Sequence, residues 1–211
     1  MSEKTNSGNI FFTSDTHFGH SNVIKYCCRS FLTELDKNEL EKEGVFVDGV
    51  WNNKIKSNWR ITPEATEMMD VELINQINLN VQENDVLYHL GDFALPGKQD
   101  YYKKCRNYRD KIKCKNLVLI WGNHDDRCIA DLFSETYDLK SIRIPYSNNK
   151  IILCHYAMAA WEGSHRGNWQ LYGHSHSEIE LWMDSIISNR KSMVVGVDNA
   201  FKILGYYQPF K

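Results

Sequence analysis

Five short apolar runs, each ending in residues that ligate metals or move protons, constrain this chain more than any other feature. Leu117-Val118-Leu119-Ile120-Trp121 runs into Gly122-Asn123-His124-Asp125, and Asn9 to Ser14 into Asp15-Thr16-His17. Val86 to Leu90 meets Gly91-Asp92, Ile151 to Cys154 meets His155, and Leu171-Tyr172 meets Gly173-His174-Ser175-His176. Runs this short, rich in branched residues and stopped by turn formers, read as buried strands. Open α/β sheets bind ligands in the crevice beyond the carboxyl ends of their strands. The chain is therefore predicted to gather carboxylates, an amide and imidazoles at strand ends. Of its eight histidines, all but His165 fall in these clusters or, like His20 and His89, within three residues of one.

Helical patterns separate the runs. Ser21 is placed to cap a short helix from Asn22 to Cys28. Thr62-Pro63 reads as an N-cap and first helical position, after which Met69, Leu73, Ile74, Ile77 and Val81 keep one apolar face. Gln99 to about Ile112 spaces Tyr101, Tyr102, Cys105, Tyr108 and Ile112 along a side to be buried, and Ile129 to Phe133 suggests a further short helix. Strand, helix, strand in succession argues for parallel β-α-β units. From Leu32 to Thr62 the pattern changes to a charged helical segment and then Val45 to Trp51 around Asp48-Gly49, a hairpin signal. This stretch is expected to be an insertion, at about 32–62, in a single domain spanning 1–211. Pro145 to Asn149 has turn composition between two further strands.

Composition sets limits. A chain of 211 residues, 42% hydrophobic, can bury one sizeable core. A net charge of -2 and a pI near 6.4 give no strong nucleic-acid signal. The polar opening lacks an apolar leader segment, and no run approaches the length of a membrane span. A cytoplasmic chain with no membrane partner is expected. Its six cysteines form no Cys-x-x-Cys pair and read as reduced, mostly buried thiols.

Singly, each polar cluster carries little information. Together they supply what a two-metal site needs: oxygen and imidazole donors from several strand ends, a carboxylate to bridge, and open positions for water and substrate. The ordered set Asp15-x-His17, Gly91-Asp92, Gly122-Asn123-His124-Asp125, His155 and Gly173-His174-x-His176 resembles the calcineurin-like metallophosphoesterase family. Asp15 to His20 and Ser164-His165-Arg166-Gly167 resemble its small bacterial and phage branch.

The resemblance implies an α/β fold: a two-sheet β-sandwich flanked by helices in four layers, with a dimetal site at the strand ends. It implies one metal held by Asp15, His17, Asp92 and His176, and a second by Asp92, Asn123, His155 and His174, with Asp92 bridging. His124, unligated, is expected to protonate the leaving oxygen, with Asp125 as a candidate orienting partner. His20, His165 and Arg166 are candidate substrate contacts, and Arg29 and Arg127 further candidates for phosphate. Two divalent ions are expected, manganese first, with iron, nickel or zinc as alternatives. The expected activity is hydrolysis of a phosphodiester, or a small phosphomonoester, by in-line attack of a metal-bridging hydroxide. The substrate is expected to be small and phosphorylated or nucleotide-derived. Phosphoprotein phosphatases of this fold carry a Val-Asp-Arg-Gly type run after Gly-Asp. Here Asp92 is followed by Phe93-Ala94-Leu95-Pro96-Gly97, which lacks the phosphate-gripping arginine. A catalytically silent scaffold of the same fold and a nuclease stand as alternatives.

Overall fold

The computed structural model describes residues 8–52, 55–143, 147–187 and 189–211. In chain order these form β1 (Ile10–Thr13), α1 (Ser21–Tyr26), α2 (Glu34–Lys42), β2 (Phe46–Val47), β3 (Val50–Trp51), α3 (Pro63–Asn80), β4 (Val86–His89), α4 (Tyr101–Lys111) and β5 (Asn116–Ile120). Then come β6 (Glu135–Tyr137), β7 (Leu139–Arg143), β8 (Lys150–Cys154), β9 (Trp169–Tyr172), α5 (Glu180–Ile186), β10 (Ser192–Val194) and α6 (Val197–Leu204).

The strands divide into two four-stranded sheets and the small β2-β3 pair. In the first sheet, ordered β1-β4-β5-β6, every pairing is parallel. In the second, ordered β10-β9-β8-β7, the first two pairings are parallel and β7-β8 is antiparallel.

Side-chain alternation explains the continuous apolar runs. Phe11, Leu87, Leu117 and Leu119 point to a cluster shared with α1, α3 and α4. Their neighbours Phe12, Tyr88, Val118 and Ile120 point the other way, into a cluster with Leu153 and Leu171 of the second sheet and Val195 just past β10. With a period of two, a sheet covered on both faces needs apolar residues at every position. Leu87, Leu117 and Leu119 are fully buried, each contributing roughly 1.5–3 kcal/mol.

α3 begins as its sequence directs: the Thr62 side chain accepts from Ala65 N–H, and Pro63 takes a position where no helical N–H is needed. Met69, Leu73, Ile74, Ile77 and Val81 are buried as the periodicity requires. Residues 32–62 carry α2 and the β2-β3 hairpin, and Asp36 ties the base of this stretch together. Its carboxylate accepts from Thr33, Trp59 Nε1 and Thr62, joining the two ends.

Three details differ from expectation. His20, not Ser21, occupies the cap of α1, and its side chain makes no cap bond. Near Ile129 the chain forms a 3-10 turn, Arg127–Leu132, because Asp126 turns the chain by accepting from Cys128 N–H. Only Cys105 and Cys114 are buried, while Cys128 is exposed and the others are half-buried. The expected turn at 145–149 lies partly outside the described residues. Among those described, no helix is long and apolar enough to cross a membrane.

Candidate metal centre

Parallel strands in the order β1-β4-β5 bring their exit loops side by side, so Asp15, Asp92 and Asn123 become neighbours. Asp15 N–H donates to Gly91 O (3.0 Å) and His17 N–H to Asp92 O (3.0 Å). The second sheet delivers His155 after β8 and His174 after β9, joined by Gly173 N–H to His155 O (2.9 Å). The sheets meet where His174 N–H donates to both Asp15 oxygens, at 2.9 and 3.1 Å.

Two groups of donors result. Asp15, His17 and His176 form the first, and Asp92, His155 and His174 the second, with the ligating atoms of each within 4.8 Å of one another. Asp92 joins them: its Oδ2 lies 3.6 Å from His17 Nε2 and 3.5 Å from His155 Nε2. Its Oδ1 accepts from His124 N–H at 2.9 Å. Asn123 Oδ1 stands 3.1 Å from His155 Nε2 and completes the second group. His155 turns that nitrogen inward because its Nδ1–H donates to Leu90 O at 2.7 Å.

The backbone is strained here. Asp15, His17, Asp92, His174 and His176 all have φ between +47° and +66°, a region non-glycine residues seldom enter. Such strain costs about 1–3 kcal/mol per residue and collects where function requires it. At Gly91, with φ +94°, a Cβ would run into His155 Nδ1 and the Gly122 backbone, so only glycine lets the two loops approach.

The electrostatics are those of donors deprived of water. Burial pushes the Asp15 carboxyl up and drives His17 down to about 2, the latter helped by Arg29. Burial opposes ionisation of Asp92 as well, but His155 and His17 hold its carboxyl well below the usual range. His176 is held up to about 11, against burial, by Asp198 and Cys27.

A family model for calcineurin-like phosphoesterases matches residues 8–178. The chain belongs to that family. An uncharacterized protein of Methanocaldococcus jannaschii is 29% identical over 191 residues, covering 90% of this chain and 81% of that protein. The crystal structure of an Aquifex aeolicus protein of unknown function shares the fold, with TM-score 0.57, 20% identity, and coverage of 95% of this chain and 94% of that one.

Membership in this phosphoesterase family implies divalent metal ions, and the donor set fits them. The buried Asp15 and Asp92 carboxylates face imidazole Nε2 atoms at 3.5–3.9 Å. His17 Nε2 and His176 Nε2 turn toward each other at 3.3 Å. Nitrogen and carboxylate donors that converge in this way suit a transition-metal ion.

The other sequence candidates of this phosphoesterase divide. His124 reaches the cluster, its ring 5.6 Å from that of His17 and exposed to solvent. His20 is also close, 6.0 Å from His17 ring to ring, and its pKa is lowered by burial and by His124. His165 and Arg166, expected as substrate contacts, are joined to the donor groups by no contact among the described residues. Their 3-10 turn folds back on Asn168, whose side chain accepts from Lys150 N–H. That is where β8 and β9 begin, roughly 15 Å of strand from the ends bearing His155 and His174. Arg29 is fully buried and bonded within the protein. Asp125 does not orient His124. Its oxygens accept from the backbone N–H groups of Asp92, Phe93 and Gly122, pinning the two loops together. Sequence reasoning missed Cys27 and Asp198, which touch His176, because no spacing links positions so far apart in the chain.

Proposed function

We propose that this chain is a dinuclear metal-dependent phosphoesterase acting on a small or nucleotide-derived phosphodiester, within a four-layer, two-sheet sandwich. The observation that carries the reading is Asp92 Oδ2, 3.6 Å from His17 Nε2 and 3.5 Å from His155 Nε2. A carboxylate so placed serves both donor groups. Asp15, His17, Asp92 and His176 would hold one ion, and Asp92, Asn123, His155 and His174 the other. Manganese is the first candidate, with iron, nickel or zinc as alternatives for these donors. When bound, the ions supply an acidified water and positive charge for the phosphoryl oxygens.

The chain's own residues do the rest. His124 is anchored through its backbone to Asp92 Oδ1, which leaves its exposed ring free to protonate the leaving oxygen. Asp125 fixes the loop that carries it. His20 flanks His17 and contacts the substrate's remaining oxygens.

The diester preference follows from the grip on offer. A phosphomonoester dianion on a protein surface calls for an arginine fork. Arg29 is committed to Asp198, and Arg166 stands at the far end of the second sheet. The leaving group is assigned to a cavity of about 470 Å³ lined by Lys25, Tyr26, Val45, Trp51 and Glu178. Tyr26 links it to the site, with its ring 6.4 Å from that of His20.

The test is a side-by-side assay of an aryl phosphodiester, the matching monoester and a phosphoserine peptide with manganese. The expected result is a higher kcat/KM for the diester and negligible peptide turnover. Efficient peptide turnover would overturn the substrate class, and no turnover of any substrate by metal-loaded protein would leave a binding scaffold.

A further inference from the structure

The back of the first donor group holds an arrangement that the reaction above does not use. His176 turns its Nδ1 away from the cluster, to 2.6 Å from Asp198 Oδ2 and 3.2 Å from Cys27 Sγ. Asp198 stands in the first turn of α6, beyond the 8–178 span that the family model matches. Both of its oxygens are gripped by Arg29, Nε to Oδ1 at 2.8 Å and an Nη to Oδ2 at 2.9 Å, a bidentate pair. Arg29 is fully buried, and its other N–H groups donate to Asp15 O (2.7 Å) and Thr16 O (3.1 Å). One guanidinium thus ties the loop bearing Asp15 and His17 to the helix that braces His176.

Cys27, His176 and Asp198 are also close enough together to hold a cation by themselves. The guanidinium on both Asp198 oxygens argues against it, since a cation would be added beside a buried positive charge. A hydrogen-bond brace accounts for every contact. An imidazole whose Nδ1–H is taken by a carboxylate has its other nitrogen fixed as a metal donor, with its ring orientation set.

We propose that Asp198, clamped by Arg29, is a positioning residue for the first metal group, fixing the His176 ring with Nε2 toward Asp15 and His17. The C-terminal helix α6 is thereby part of the metal centre. This rests on the metal-centre reading above.

The test is a Mn²⁺ titration of the full chain, wild type against Asp198→Asn, with thermal melting of the metal-free proteins. The wild type takes up two equivalents. Asp198→Asn weakens one of them by about 10- to 100-fold and leaves the other unchanged. Leaving Arg29 unpaired threatens the fold, so the double variant Arg29→Met/Asp198→Asn, which removes both charges, is measured in parallel and shows the same selective loss.

A spectroscopic readout tests the brace directly. In Zn²⁺-loaded wild type, His176 gives a slowly exchanging Nδ1–H proton in the NMR spectrum, and the double variant lacks it. Unchanged affinity for both equivalents in a folded variant overturns the proposal. So does equal weakening of both equivalents alongside a lowered melting temperature, or an Nε2–H tautomer of His176 in the Zn²⁺-loaded wild type. A wild type that binds fewer than two equivalents overturns the metal-centre reading itself, and the role of Asp198 with it.

Discussion

The two donor groups use the same residue types and are held in opposite ways. In the first, Asp15 and His17 are buried and His176 is nearly so, and behind them stands the salt bridge between Arg29 and Asp198. In the second, Asp92 and His155 are buried but His174 and Asn123 are exposed. His155 there is steadied by a single backbone carbonyl, that of Leu90. Tyr156 packs over His174 with ring centroids 4.9 Å apart and is itself exposed. A centre closed on one side and open on the other gives substrate one direction of approach. His124 is exposed as well and borders both groups, with its N–H on Asp92 Oδ1 and its ring 5.6 Å from that of His17.

The largest expected effect comes from the residue that both sides share. Asp92→Ala should strip metal from both groups and abolish turnover, and elemental analysis of the purified variant checks it. Loss from one group alone would mean that the two sides are held independently and that Asp92 does not bridge.

A smaller effect is expected from the exposed histidine between the two groups. His124→Ala should lower turnover by about a hundred- to ten-thousandfold with metal content unchanged. The loss should shrink for a substrate whose leaving group is very acidic. An equal loss for good and poor leaving groups would remove His124 from proton transfer.

The smallest effect tests the closed side through stability. Asp70 of α3 accepts from Gly19 N–H with both oxygens, at 3.0 and 3.1 Å, and so holds the loop that follows His17. Burial pushes its carboxyl up to about 6. Because this lies above the unfolded value, the folded chain binds the proton more tightly. That contribution to stability is complete in acid and is lost as pH rises through about 6. The difference in unfolding free energy between wild type and Asp70→Asn should therefore fall by on the order of 2 kcal/mol between pH 4 and 7. Denaturant melts across that range measure it, and a flat difference would mean that Asp70 is already ionised in acid.

Much of the site was legible because its chemistry is local. Asp15-Thr16-His17 and Gly173-His174-Ser175-His176 each follow an apolar run directly, so strand periodicity placed them. Cations impose a fixed menu of donors, and that menu survives in the order of residue types. The place of His165-Arg166 was less legible for the converse reason. A short motif says nothing about which end of a strand its loop returns to, and this loop folds back to the start of β9. Arg29 misled because an arginine's role depends on burial, and α3 covers it by placing Met69 Sδ 3.3 Å from its Nη.

By itself the sequence determined β1, β4, β5, β8 and β9, the helices α3 and α4, the glycine at position 91 and a set of candidate donors at the strand ends, since backbone preference, apolar periodicity and ligand chemistry all act over a few residues. Only the tertiary structure decided that Arg29 and Asp198, 169 positions apart, meet behind His176. It also decided that Asp125 serves the backbone of Asp92 and not His124. Those outcomes depend on which buried polar group finds which partner once two sheets close on each other, and an unsatisfied charge in that interior is too costly to leave.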